Sequence, residues 1–460
     1  MTTPPPPTGE AAAPRPGFLE RQGIVRPLAF GYLAVMLFMV GDGIEVGFLS
    51  PYLESRGFSG SEVALLWTVY GLVVAVAAWL SGALAEAWGP RRVMLLGLGI
   101  WAVFEVLFLT VGVAAGNYPL MLLTFGVRGL GYPFFAYGFL VWIAMETPEN
   151  KLSRAVSWYW FASTMGLGVI SSYFAGAVIP LIGEMATLWL SLVFVAAGGA
   201  LIAFLVRARA VTGPPASTKE SVARMLNALT IVKTHPRVGV GGVVRLINTL
   251  SFYAFVVFLT THMVNDIGFS TAQWQTIWGT MLLANVAANL LSGYVADWIG
   301  GVNTVAWAGG LGCFVTVLAL YYVPEAVGPS FGVTLAVAVV YGLALGAFVP
   351  LSAIMPLLAP RHVAAAVAIL NLGAGLSQFA GSAVAGLVGP LGIEGTVWVL
   401  ASVYLIGLVL TFFLKEPDSG APGAPDPGAL GTPAPGAVPE PLPAAAPDSA
   451  RPAPERATTG

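Results

Sequence analysis

Apolar residues in this chain gather in long, nearly unbroken runs, and the short segments between them hold most of the Lys, Arg, Asp and Glu. A helix needs about 20 residues to cross a hydrocarbon core of about 30 Å. Twelve runs reach that length: 27 to 53, 61 to 87, 93 to 114, 118 to 146, 152 to 180, 185 to 207, 237 to 264, 272 to 298, 303 to 323, 331 to 358, 362 to 389 and 395 to 414. We number them spans 1 to 12. The pattern predicts an all-α polytopic membrane protein. Span 1 follows a polar, proline-rich segment and lacks a small-residue cleavage site before span 2, so it reads as a retained helix rather than a signal peptide.

The segments outside the spans set the organisation. Residues 1–26 and 416–460 are rich in Pro, Ala and Gly and poor in aromatics, a composition too poor in large apolar side chains to order itself, and both are expected to be disordered tails. A loop over 208–236 divides two six-helix bundles, 27–207 and 237–415. Shifting the chain by 211 residues lays "GFS" at Gly57 on "GFS" at Gly268, Trp67 on Trp278, "LSG" at Leu80 on "LSG" at Leu291, and Gly89 on Gly300. Eleven of the 33 positions from 57 to 89 are identical in that register without a gap, more than shared hydrophobicity explains. Parallel repeats of this kind place a substrate site near the midplane between the halves.

Charge orients the bundle. Of 20 basic residues, Arg128 and Arg245 lie deep within spans and Arg56 in a loop on the side opposite the tails; the other 17 fall in the tails or on their side, Arg154, Arg207 and Arg237 at span ends. By the positive-inside rule both termini are expected in the cytoplasm, with the protein in the cell membrane. Overall 57% of residues are hydrophobic and 9% charged, against about 25% charged in soluble domains, so the expected surroundings are the lipid bilayer. A net charge of −2 gives no reason to expect a nucleic-acid partner, and the single Cys313 leaves no intrachain disulfide. A monomer is expected.

Two acids, Asp42 and Glu45, interrupt span 1 in "MVGDGIEVGFLSPYL". An acid at the centre of a membrane helix costs roughly 2.5–3.5 kcal/mol on translocon scales, so each needs a compensating partner or a proton. Arg128 in span 4 is the one base among the N-terminal spans, facing three acids, Asp42, Glu45 and Glu105. All three cannot be ionised and individually paired, which makes at least one a proton carrier candidate. Asp42 and Glu45 are three apart and share a helical face. The expected coupling group is Asp42, Glu45 and Arg128, the arginine meeting one of the two acids across the cavity. The C-terminal spans carry amides instead: Asn248, Asn285, Asn289, Asn371 and Gln378. An amide both donates and accepts, which suits a hydroxylated solute, and Tyr132, Tyr137, Phe252 and Trp278 offer faces for its carbon skeleton. The "WYW" at 158–160 reads as an interfacial belt.

No catalytic signature is present. His235, His262 and His362 stand far apart in sequence near span ends, without metal-ligand spacing, and no nucleophile elbow or phosphate loop accompanies them. Neither an enzyme nor a cofactor or metal requirement is expected.

"SGALAEAWGPRR" (81–92) and "SGYVADWIGG" (292–301) resemble the loop that marks the major facilitator superfamily: a helix-packing glycine (Gly82, Gly293), an acid four residues on (Glu86, Asp297), then Gly89 or Gly300. Glu86 replaces the usual Asp, Pro90 a usually basic position, and the second copy lacks the trailing basics. These six residues are expected to act in gating. In that superfamily helices 1 and 4 line the cavity and helix 3 lies toward the periphery, which implies a structural role for Glu105. Span 5, "GLGVISSYFAGAVIP", lacks the glycine-proline cluster of drug:proton antiporters, which favours import.

Together "GDGIEVGFLSPYL", "RGLGYPFFAYGFLV" and "IGEMATLWLSL" resemble the polyol permeases, the ribitol and D-arabinitol transporters, over roughly residues 26 to 415. The resemblance implies proton symport of a sugar alcohol by alternating access. Two alternatives stand beside it: a carboxylate transporter using Arg128 and Arg245 as a clamp, since Arg suits carboxylate geometry, and a non-transporting membrane sensor.

Overall fold

The computed structural model describes residue 19 and residues 22–206 and 230–415. The expected disorder of the tails and most of the central loop fall outside the described residues. Among those described there is no strand. Eleven helices are long and apolar enough to cross a membrane: Gly60–Ala85, Pro90–Ala114, Tyr118–Glu146, Arg154–Ile182, Glu184–Leu205, Pro236–Val257, Thr271–Ile299, Gly301–Val327, Phe331–Leu358, Ala365–Ala385 and Val388–Phe412. They are spans 2 to 12.

Span 1 is different. It runs as two helices in series, Ala29–Gly43 and Leu49–Ser55, joined by turns over residues 44–48. Glycines at 41, 43 and 47 crowd this stretch, and each is about 1 kcal/mol poorer than Ala at holding a helix. The backbone closes the gap by letting the Glu45 carbonyl accept from the N–H groups of both Phe48 (3.0 Å) and Leu49 (2.8 Å). Glu45 therefore sits in the break itself, the kind of discontinuity found where transporter helices meet ions and substrates.

The repeat read at a shift of 211 is present in backbone detail. Spans 2 and 8 each form a 29-residue helix, Gly60–Trp88 and Thr271–Ile299. Each opens with a capping box, Ser59 with Glu62 and Ser270 with Gln273. Each closes on a glycine at positive φ, Gly89 (φ 86°, ψ 140°) and Gly300 (φ 89°, ψ 143°), which a residue with a Cβ reaches only under strain. The glycines ahead of them depart from expectation. A Cβ on Gly82 or Gly293 would meet nothing within 4 Å, so neither allows a close helix approach in this state, and Asp297 is exposed. The side chain of Glu86 lies outside the described residues.

The halves meet at the end of the bundle remote from the termini. Spans 2 and 11 touch so closely that a Cβ on Gly71 would lie 2.9 Å from the Phe379 backbone nitrogen. The Ser50 hydroxyl donates to the Val256 carbonyl at 2.8 Å, and the Tyr173 and Thr280 hydroxyls share a hydrogen bond of 2.7 Å. These contacts close one end of the space between the halves. Overpacking a close contact costs about 1–3 kcal/mol. Gly71→Ala is therefore expected to lower the thermal unfolding temperature of the detergent-solubilised protein, whereas Gly82→Ala, with open space beside it, leaves that temperature within about a degree of the parent.

Candidate functional site

Arg128 ends the first segment of span 4, Tyr118–Arg128, and is completely buried. Its Nη1 donates to Glu45 Oε2 at 2.9 Å and also to Glu105 Oε2, while Nη2 donates to Glu45 Oε1. Glu45 thus takes the fork of the guanidinium in the bidentate geometry that makes Arg–carboxylate pairs strong. The other oxygen of Glu105 accepts from the Ser191 hydroxyl at 3.4 Å. Four rings surround the guanidinium carbon: Phe125 at 4.4 Å, Trp101 at 5.1 Å, Tyr70 at 5.4 Å and Phe108 at 5.6 Å. Two carboxylates and an aromatic box replace the water this cation has lost.

The predicted meeting of Arg128 with span 1 is made through Glu45. Asp42 is held differently. Its Oδ1 accepts from the Trp101 indole at 2.6 Å and the Tyr70 hydroxyl at 3.4 Å, and no cation contacts it among the described residues. Glu105, expected to be structural on a peripheral helix, is turned inward by span 3 onto Arg128 as a direct partner. Trp101 and Glu105, four residues apart on one face of span 3, bring a donor to Asp42 and an acceptor to Arg128. That spacing was the sequence signal for both.

Between the halves lies a cavity of about 240 Å³. A single water needs about 10–15 Å³ on this measure, so the space is large enough for a small solute. Asp42 and Glu45 form part of its wall in the N-terminal half. Of the predicted solute-binding residues, Tyr132, Asn285 and Gln378 line it. The other three do not. Asn248 is buried between helices, its amide donating to the Leu345 carbonyl at 3.2 Å and its oxygen accepting from Arg245. Asn289 and Asn371 are exposed outside the cavity lining. Trp278 is buried beneath Phe252, stacked at 5.2 Å, and only Phe252 reaches the cavity.

Several lining residues carried no motif. Tyr159 and Trp160 of the supposed belt face the cavity, with Tyr253, Thr249, Ser382 and Arg245 opposite. Tyr137 lines it too and shares a 3.1 Å hydrogen bond with Tyr132. Tyr137, Tyr159 and Trp160 belong to the parts of spans 4 and 5 nearer the termini, so the cavity extends toward that side. Arg128 is absent from the lining, and both its Nη groups are committed to acids, so the clamp of Arg128 with Arg245 is not formed. His235 and His362, distant in sequence, bring their rings to 5.6 Å. Among the described residues no three His, Cys, Asp or Glu side chains form a metal-holding group.

Removing one partner from a buried ion pair costs about 3–5 kcal/mol. Arg128→Ala strips the buried carboxylates of their cation and is expected to destabilise the protein by about 3 kcal/mol, read as a lower thermal unfolding temperature, and Ser191→Ala by no more than about 1 kcal/mol because its hydrogen bond is long.

The chain matches the Major Facilitator Superfamily over residues 31–240 and again over 241–446. It is 41% identical to an alpha-ketoglutarate permease of Bacillus subtilis over 86% of this chain and 91% of that one. To the ribitol and D-arabinitol transporters of Klebsiella pneumoniae it is 38% and 37% identical, over 86% of this chain and 94% of each. Among solved structures, a mutant of the nucleoside transporter NupG superposes with a TM-score of 0.63 at 15% identity, covering 85% of this chain and 98% of that one. A bacterial homologue of the lysosomal transporter Spinster, inward-facing and unoccupied, gives 0.62 at 16%, covering 84% and 94%. With both halves matched and such similarity to whole permeases, the chain belongs to the major facilitator superfamily of multi-pass membrane transporters, in the group that holds the polyol permeases.

Proposed function

We propose that the protein is a proton symporter that imports a small hydroxylated solute, a sugar alcohol such as a pentitol, by alternating access as a monomer in the cell membrane. The observation that carries this reading is Asp42: a buried acid on the cavity wall, bonded to two neutral donors and to no cation, beside an arginine already shared by two other acids. With every group ionised, the cluster of Asp42, Glu45, Glu105 and Arg128 holds more negative than positive charge in a low-dielectric setting. One proton relieves that excess, and Asp42 is the acid whose ionised form Arg128 does not bond.

The cycle follows from what Asp42 holds. Ionised, it ties span 1 to Trp101 of span 3 and Tyr70 of span 2. Protonated from outside, it accepts more weakly from both and gains a donor of its own toward the cavity, where a cargo hydroxyl can take it. With both termini cytoplasmic, as the basic residues imply, contacts such as Ser50 with Val256 close the outer side, and the described state is inward-facing. Proton and cargo leave on that side, and ionised Asp42 recovers its two donors.

The names of the relatives support a short polar cargo: two transport pentitols, and one is named for alpha-ketoglutarate. Carboxylate transport is the second reading, and Arg245 in the cavity wall favours it. In this form one arginine, not two, faces the cargo.

In proteoliposomes with an imposed inward pH gradient, Asp42→Asn is expected to abolish uphill accumulation of the transported solute, its internal-to-external ratio falling to about 1, while exchange down a gradient persists. Undiminished pH-driven accumulation in this variant would overturn the assignment of the proton to Asp42.

A further inference from the structure

Arg245 and Arg128 are the two arginines within the predicted spans, and they could hardly be served more differently. Arg128 is covered by two carboxylates and four rings. Arg245, on span 7, lines the cavity half-buried, and Nη1 donates to the neutral oxygen of Asn248. It is in no ion pair among the described residues. Tyr137 and Tyr253 share the cavity wall with it, and Asp42 and Glu45 stand on the wall of the N-terminal half. A guanidinium offers five N–H donors, and the bond to Asn248 leaves the others without a protein partner among the described residues. Such a cation is tolerable while the cavity holds water, but when the halves close around a cargo the water leaves and an unpaired charge becomes costly. With Asp42 protonated, as the symport reading has it at that point, the counter-charge then arrives with the cargo.

We infer that the cavity is built for a polyhydroxylated monocarboxylate, an acid of the aldonic type, whose carboxylate docks on Arg245 while its hydroxyls meet Tyr132, Asn285 and Gln378. The inference rests on the proton-symport reading and sharpens its cargo. A plain polyol fills the amide and phenol positions but leaves Arg245 without a counter-ion. A plain dicarboxylate satisfies Arg245 but leaves the hydroxyl-binding groups unmatched, and its second charge faces the wall that carries Asp42 and Glu45. A hydroxylated monoacid meets both halves of the cavity. A site built to bond a given group discriminates strongly against the analogue that lacks it, because its own buried polar groups are then left unpaired.

Charge balance gives a consequence that needs no mutation. One proton taken up with a neutral polyol carries one positive charge inward per cycle, so an inside-negative membrane potential drives uptake. One proton with a monocarboxylate carries no net charge, so the potential has no hold on it and the pH gradient alone drives accumulation.

The test uses the whole chain in proteoliposomes, with pH gradient and potassium-diffusion potential imposed separately, and compares ribitol and D-arabinitol with ribonate, arabinonate and alpha-ketoglutarate. The expected result is pH-driven aldonate uptake that is indifferent to the potential and half-saturated at a concentration at least tenfold below that of the matching pentitol. In Arg245→Gln the aldonate-to-pentitol affinity ratio is expected to fall at least tenfold, with Arg245→Lys restoring part of it; tryptophan-fluorescence titration of the same proteins reads binding where transport is lost. Pentitol uptake without aldonate uptake or competition overturns the inference and leaves the symport reading standing. An affinity ratio unchanged in Arg245→Gln also overturns it. Failure of all five solutes to move under a pH gradient overturns both.

Discussion

A single fully buried guanidinium governs the N-terminal half. Arg128 is in the membrane interior and reaches no solvent, so its charge has to be met by protein. Meeting it recruits Glu45 from span 1 and Glu105 from span 3, and rings from spans 2, 3 and 4. Those commitments fix how the four helices are rotated. They leave Asp42 as the odd acid, close enough to feel the cation yet bonded to an indole and a phenol. The break in span 1 belongs to the same constraint, because Glu45 lies within the turns at 44–48 and its carbonyl supports the restart of the helix at Leu49.

What the chain disclosed before folding divides along a physical line. Membrane crossings and the repeat were legible, since length and hydrophobicity set the first and the common register of Gly57 with Gly268 and Gly89 with Gly300 sets the second. The link between Arg128 and Glu45 was legible too, because an intramembrane arginine must find an acid and few were present. Helix rotation was not legible. A membrane helix is apolar nearly all round, so no polar stripe declares which side faces a neighbour. The sequence therefore does not show that Glu105 turns onto Arg128 as a direct partner. Asn248, Asn289 and Asn371 were credited with a cavity they do not line, and Tyr159, Trp160 and Tyr253 gave no sign that they line it. Span 1 was read as continuous because its glycines were weighed for hydrophobicity rather than for their weak hold on a helix.

The state of the molecule depends on contacts of modest strength. The two halves are joined remote from the termini by close backbone approaches such as Gly71 against Phe379 and by single hydrogen bonds such as Ser50 to Val256. Each such bond is worth about 0.5–1.5 kcal/mol net, an interface that can part and re-form on the timescale of a transport cycle. Within the N-terminal half the contacts are of another order, charged and buried. The contacts between the halves are therefore weaker, one by one, than those that hold the N-terminal half together.

The two copies of the repeat share capping boxes and glycine ends, yet they have divided the chemistry between them. Buried carboxylates and most of the cavity's phenols belong to the first copy; amides and an arginine in no ion pair among the described residues belong to the wall of the second. Asn285, Gln378 and Arg245 stand on the cavity wall apart from the buried charges around Arg128, so that wall can vary in sequence while the charged cluster keeps every one of its contacts.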